Sequence, residues 1–237
     1  MTTSQVKLGV GIYSRTDAAR LLGINPPRLR RWVSGYTYWL LATSTSEKRR
    51  KPPVIKTDLP PIQGAIALSF LELMELRVVK SIVDAGIPLQ HVRRAAKWAS
   101  DAFGTDHPFA SQRVFTDGRS IFSAVSTDDP PNIVKWEKGQ MEQIIAGPVL
   151  DRYLSEIEFD PSTSLAYKWW PLGKTNPVIL DPRVAFGSPV IEGTAVRTSI
   201  VARLAKRSSV TDAAVAYELQ LRQAEAAINF EASLAAA

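Results

Sequence analysis

The 237-residue sequence has no cysteine, which removes disulfides, thiolate catalysis and thiolate metal sites together. Histidine is almost as scarce. His91 and His107 are the only two, too few for a zinc site built on imidazoles. No apolar run approaches membrane-spanning length, and the opening MTTSQVKLGVGIYS lacks the apolar core of a secretory signal. The expected location is the cytoplasm, with no membrane contact. Gly-rich phosphate loops, metal-ligand clusters and nucleophile motifs are missing as well. Asp128 and Asp129 are paired, but in TDDPP they read as turn residues. Glu156 and Glu158 alternate with Ile157 and Phe159, the pattern of a half-buried strand. His91 lies among helix residues and His107 before Pro108, and both read as structural. No enzyme, cofactor or metal is expected.

What is present is positive charge, unevenly placed. Residues 1–100 carry 16 Lys and Arg against 6 Asp and Glu, whereas the remainder carries 13 against 17. A basic part joined to a mildly acidic one implies two tasks, the first with a polyanion. The span 209–237 sharpens the contrast, with Arg222 as its one basic residue against Asp212, Glu218, Glu225 and Glu231. That surface repels phosphates, so the C-terminal helices read as a protein-binding or dimer-forming module.

Helical period begins at about residues 16–22, with Ser14 as N-cap, Asp17 three residues on, and Gly23 as the stop. Asn25 then caps a second helix opened by Pro26-Pro27, whose missing N–H groups cost nothing in a first turn, and closed by Gly35. Tyr36–Leu41 and Pro53–Ile55 read as two short strands around a polar loop that ends in Lys48-Arg49-Arg50-Lys51. Longer helices follow at about 69–84, with a Ser69/Glu72 capping box, and at about 88–103. Asp117-Gly118 between β-prone runs makes residues 112–125 a hairpin. Residues 126–177 read as irregular, with short strands and helices and an aromatic cluster of Tyr153, Phe159, Tyr167, Trp169 and Trp170. Two extended pieces follow Val178, and three helices close the chain at about 198–205, 209–217 and 221–234.

The first two helices have helix-turn-helix spacing. Ala19 is small enough for close approach, Gly23 permits the turn, and Ala18, Leu22, Ile24, Leu29 and Trp32 are all apolar where a core requires it. At ~100° per residue, Leu29, Trp32 and Val33 share one arc while Arg30, Arg31 and Ser34 lie opposite, with Arg28 at the flank near Trp32. Arginines on the open face of a second helix suit guanine recognition in a major groove; the same arginines would also serve an ordinary helix as solvated charge. The candidate DNA-binding residues are Arg28, Arg30, Arg31, Ser34, Tyr36, Tyr38, Lys48, Arg49, Arg50 and Lys51. Tyr36 and Tyr38 would pack on the backbone or else cover the wing's apolar face, and Trp39 is assigned to the core.

The run RTDAARLLGINPPRLRRW, the basic wing, and FLELMELRVVK followed by AGIPLQHVRRAA together resemble the MerR-like winged helix-turn-helix over residues 13–103. ILDPRVAFGSPVIEGT and the three helices after it are similar to a widespread bacterial antitoxin domain. Joined through HPFASQRVFTDGR, the two resemble VapB-type antitoxins of a larger, two-domain kind. The resemblance implies binding to promoter DNA, repression of the chain's own operon and neutralisation of a PIN-like ribonuclease toxin. Two positions depart from the pattern: Ala195 follows Gly193-Thr194 where an arginine is usual, and Leu219-Gln220-Leu221 replaces a Thr/Ser-Pro-Glu cap.

The expected fold is mainly α with small β elements (α+β): a winged helix-turn-helix domain with hairpin at 1–125 and an antitoxin-like domain with a trihelical end at 126–237. A homodimer is expected, because one helix-turn-helix buries little DNA and such proteins usually bind paired half-sites. With Pro108 soon after the helix at 88–103, dimerisation uses other surfaces than a long helix. Tyr167, Trp169, Trp170, Phe186 and Phe230 are the candidate toxin-binding anchors, some of which must serve the fold. The alternative is a ligand-sensing MerR-like regulator whose aromatic cluster lines a pocket rather than a seam between domains.

Overall fold

A computed structural model describes residues 9–41, 46–116 and 153–236. Strand β1 (Tyr13–Ser14) leads into α1 (Arg15–Leu22), whose N-cap Ser14 hydroxyl accepts the Asp17 N–H at 3.1 Å. Gly23, in the left-handed conformation at φ 57°, closes the helix onto the Ala19 and Arg20 carbonyls. The cap expected of Asn25 is not made: its side chain bonds no helix N–H, and α2 (Pro26–Ser34) starts on its two prolines, which leave fewer N–H groups in the first turn to cap.

The wing consists of β2 (Tyr36–Leu41) and β3 (Ser46–Lys51), paired antiparallel with Tyr36 opposite Lys51 and Trp39 opposite Lys48. Its second strand is therefore not Pro53–Ile55. Pro52 and Pro53 have no N–H for a ladder, and Val54 and Ile55 are buried in the core instead, with the Val54 N–H bonded to the Trp32 carbonyl at 2.7 Å. The basic run lies within a strand, not in the loop.

Strand β4 (Ala67–Leu68) pairs with β1 and turns into α3 (Phe70–Asp84), which begins with the expected Ser69/Glu72 capping box. Helix α4 (Leu89–Phe103) ends at Gly104. A 3-10 turn at Pro108–Ala110 and the short α5 (Gln112–Thr116) come next. Helix α5 stands where the hairpin's first strand was expected. The Gln112 N–H is taken by the Ser164 carbonyl at 2.8 Å and Val114 is buried, so the segment answers to a distant neighbour rather than to Asp117-Gly118. Residues 117–125, the rest of that hairpin, lie outside the described residues.

Strands β5 (Ile157–Phe159) and β6 (Ala166–Trp169) pair, as do β7 (Val178–Ile179) and β8 (Val190–Ile191). Helices α6 (Thr198–Arg207), α7 (Val210–Ala216) and α8 (Leu221–Ala236) pack on β7 and β8 around Val201, Ala213, Ala227 and Phe230. The fold is mainly α with small β elements. The larger core joins Leu29, Trp32, Leu73, Leu76 and Val92 to Tyr153, Ile157, Ala166 and Trp169. Side chains from both sides of position 125 thus share one core, to which the aromatic cluster contributes Tyr153 and Trp169, while Trp170 is buried apart from it with Ile179 and Val190.

Candidate nucleic-acid interface

Helix α2 presents two faces. Leu29, Trp32 and Val33 are buried against the core, which leaves Arg30 and Arg31 exposed and Ser34 half-buried, as the helical period requires. Arg28 is held differently. Its Nη2 lies 2.8 Å from the Asp84 carboxylate at the end of α3, and its guanidinium sits 4.7 Å from the Trp32 ring. Asp84 also accepts from Lys80 at 2.7 Å. Partial burial opposes charge on Asp84, but the hydrogen bonds from Lys80 and Arg28 outweigh it and hold the carboxyl below its usual range. Arg28 therefore fixes α2 against α3, whereas Arg30 and Arg31 point outward.

The wing extends this outward surface. Gly35, at φ 68°, makes the turn from α2 into β2 where the Lys51 carbonyl passes too close for any side chain. Arg30, Arg31, Ser34, Gly35, Tyr36 and Thr37 line one hollow between helix and wing. The Arg31 guanidinium lies 5.7 Å from the Tyr36 ring, and Lys51 Nζ lies 5.9 Å from Tyr38. Arg49 pairs with Glu47 at 2.9 Å. Trp39 is 62% exposed on β2, with Lys48 Nζ 6.0 Å from its ring, so its assignment to the core is corrected.

The five aromatic candidates for partner binding do not form one patch. Trp169, Trp170 and Phe230 are buried and serve the fold. Tyr167 is half-buried, donates its hydroxyl hydrogen to Glu158 at 2.6 Å, and lies 4.7 Å under the Arg183 guanidinium. Phe186 is 52% exposed on a left-handed backbone at φ 58°, and its carbonyl accepts the Ile12 N–H at 3.0 Å. Among the described residues no His, Asp or Glu cluster suits a metal ion, and no helix is long and apolar enough to cross a membrane.

A capped two-helix unit with an outward arginine pair and a cationic two-stranded wing defines a winged helix-turn-helix of the DNA-binding kind. Residues 11–96 match the family described as "Putative DNA-binding HTH domain". Over 208 residues the chain is 29% identical to "Putative antitoxin VapB45" of Mycobacterium tuberculosis, covering 83% of each protein. Its fold is similar to the crystal structure of Rv2018 from Mycobacterium tuberculosis, at a TM-score of 0.69 and 23% identity. That likeness spans 94% of this chain and all of the other. The resemblance to VapB-type antitoxins with a helix-turn-helix thus holds along most of the chain.

Proposed function

We propose that the chain is an antitoxin that represses its own operon through promoter DNA and neutralises a PIN-like ribonuclease toxin by direct binding. The observation that carries the DNA half is the outward pair Arg30 and Arg31, opposite the buried arc of Leu29, Trp32 and Val33 and flanked by the cationic wing. The antitoxin half draws on the likeness to a relative so named, and on an acidic C-terminal unit ill suited to phosphate. Of the five aromatic anchors, Tyr167 and Phe186 are the ones a partner can reach. The protein works as a regulator without catalysis, in the cytoplasm, as a homodimer on paired half-sites. Burial of Tyr153 and Trp169 in the core shared with α2–α4 favours a seam over a ligand pocket, which weighs against the sensing alternative.

The test uses the whole protein and the duplex upstream of its own gene. Arg31→Ala should cost ~1–3 kcal/mol of specific binding while leaving a scrambled duplex less affected. Equal losses on both would move Arg31 from base to phosphate. The product of the adjoining gene should copurify with the chain and lose its ribonuclease activity; an adjoining transporter or metabolic enzyme that ignores the chain would overturn the antitoxin reading. Light scattering should report a dimer at micromolar concentration.

A further inference from the structure

A hollow of about 440 Å³ opens between α4 and the chain that leaves the wing at residues 52–56. Its charged lining sets four cations, Lys56, Arg93, Arg94 and Lys97, against two carboxylates, Glu75 and Asp106. Both carboxylates are already engaged. Glu75 is buried and lies 3.2 Å from His107 Nδ1, and Asp106 pairs with Lys56 at 3.2 Å. Lys97 turns to Asp101 at 2.8 Å, but this pair and Lys56–Asp106 are both exposed, and such pairs hold weakly enough to exchange for another anion. Arg93 stands differently. Among the described residues it pairs with no carboxylate; its Nη2 donates to the Pro52 carbonyl at 3.0 Å, and its Nε–H is buried with no acceptor. Burial pulls its pKa below the ordinary guanidinium value, yet a guanidinium stays charged at neutral pH. A buried donor on a cation is costly until an acceptor reaches it.

We propose that this hollow binds a small phosphate monoester, with a phosphate oxygen on Arg93 Nε and with Lys56 and Lys97 closing on the other two. A phosphate dianion matches the surplus of two positive charges left by four cations and two carboxylates. Three cationic groups from two elements also suit three phosphate oxygens better than the two of a carboxylate. The hollow exceeds what one phosphate fills and falls in the size range of small-ligand pockets. Pro52, Pro53 and Ala96 give its remaining wall apolar surface for the organic part of the ester. A duplex fits less well, because it carries its phosphates on a stiff, convex backbone that cannot lower one onto a buried Nε. The site uses none of the residues assigned to base reading or to toxin binding.

Calorimetry on the full-length protein tests this with AMP, inorganic phosphate and adenosine in turn. AMP should bind saturably and raise the thermal midpoint, phosphate should bind more weakly, and adenosine should not bind. Arg93→Gln should weaken AMP binding by roughly tenfold or more, the scale of one charge-assisted hydrogen bond. Lys97→Gln should lose less. Arg30→Gln, on the outward face of α2, should bind AMP as wild type does, which separates the hollow from the general positive charge of the chain. Ala96→Phe fills the hollow and removes no charge, so it should abolish binding and decides the matter if Arg93→Gln fails to fold. No AMP binding at millimolar concentration overturns the inference, and so does binding that survives Ala96→Phe in folded protein. If the upstream duplex displaces AMP from wild type, and Arg93→Gln weakens the duplex rather than AMP, the hollow belongs to the DNA backbone and the inference also fails. None of these outcomes touches the antitoxin reading, which stands or falls on toxin copurification and on Arg31.

Discussion

At the scale of single residues, His107 shows how a group read as structural acquires its partners. Its Nε2 lies 2.6 Å from Asp58 and its Nδ1 3.2 Å from Glu75, one helix and one loop away. Burial pulls the imidazole pKa down, but the Glu75 and Asp58 carboxylates outweigh it and raise the value from 6.5 to about 9. Burial also pushes the Glu75 carboxyl up, while His107 draws it back. A pKa higher in the folded state stabilises fully below pH 6.5 and loses that contribution as pH rises through about 9. Glu72, raised from 4.5 to about 6 by burial, titrates below that window. The thermal midpoint should therefore fall as pH rises from 6.5 to 9, and His107→Ala should flatten the fall. At pH 7 the same variant should lose roughly 3–5 kcal/mol, because it strands a buried carboxylate. A variant whose midpoint follows the wild-type pH profile would detach His107 from that stability. The sequence marked His107 as structural by its place before Pro108, but Asp58 and Glu75 are 49 and 32 residues away and left no local trace.

Elements were legible where their cause is local. Caps, glycine stops and apolar period placed α1, α2, α3 and the three C-terminal helices, because each depends on side chains within a turn or two. The wing was legible as a pair of strands but not in register. Lys48-Arg49-Arg50-Lys51 has the composition of a loop, and only pairing against Tyr36–Trp39 makes it a strand. The α5 segment misled for a related reason, since Asp117-Gly118 is a turn signal that says nothing of Ser164 across the fold. Gly35 joins the well-read helix to the misread strand, and it provides a test. Gly23 and Gly35 both have positive φ, at 57° and 68°, but a side chain at Gly23 meets open space while one at Gly35 meets the Lys51 carbonyl. Gly23→Ala should cost about 1 kcal/mol in thermal or denaturant unfolding, the penalty of the backbone alone. Gly35→Ala should cost clearly more and should weaken DNA binding, because β3 must move away from β2. Equal costs at the two sites would mean that the wing yields freely at this turn.

Over the whole molecule, the expected division of labour at position 125 meets a packing pattern that runs across it. The Arg77 guanidinium, on α3, pairs with Glu156 just before β5 and lies 4.6 Å from Tyr153 and 5.1 Å from Trp169. The Tyr13 hydroxyl, one residue before α1's cap, donates to the Gly187 carbonyl at 2.8 Å, and any side chain at Gly187 would collide with it. Neither contact was legible, because 79 and 174 residues separate the partners and no short-range period encodes them. Separate tasks therefore need not mean separately folding pieces. A fragment ending at 125 loses Tyr153, Ile157 and Trp169 from its main core, and should bind DNA poorly for want of stability rather than for want of arginines. A point change tests the seam without cutting it. Arg77→Ala leaves Glu156 buried without its cation and should destabilise the full chain by ~3–5 kcal/mol. If the seam couples the two sides, unfolding stays a single transition, and hydrogen exchange rises together in α3 and in β5–β6. Two separated transitions, with α6–α8 and the helix-turn-helix melting independently, would show instead that the halves fold alone and that the division near 125 is a true domain boundary.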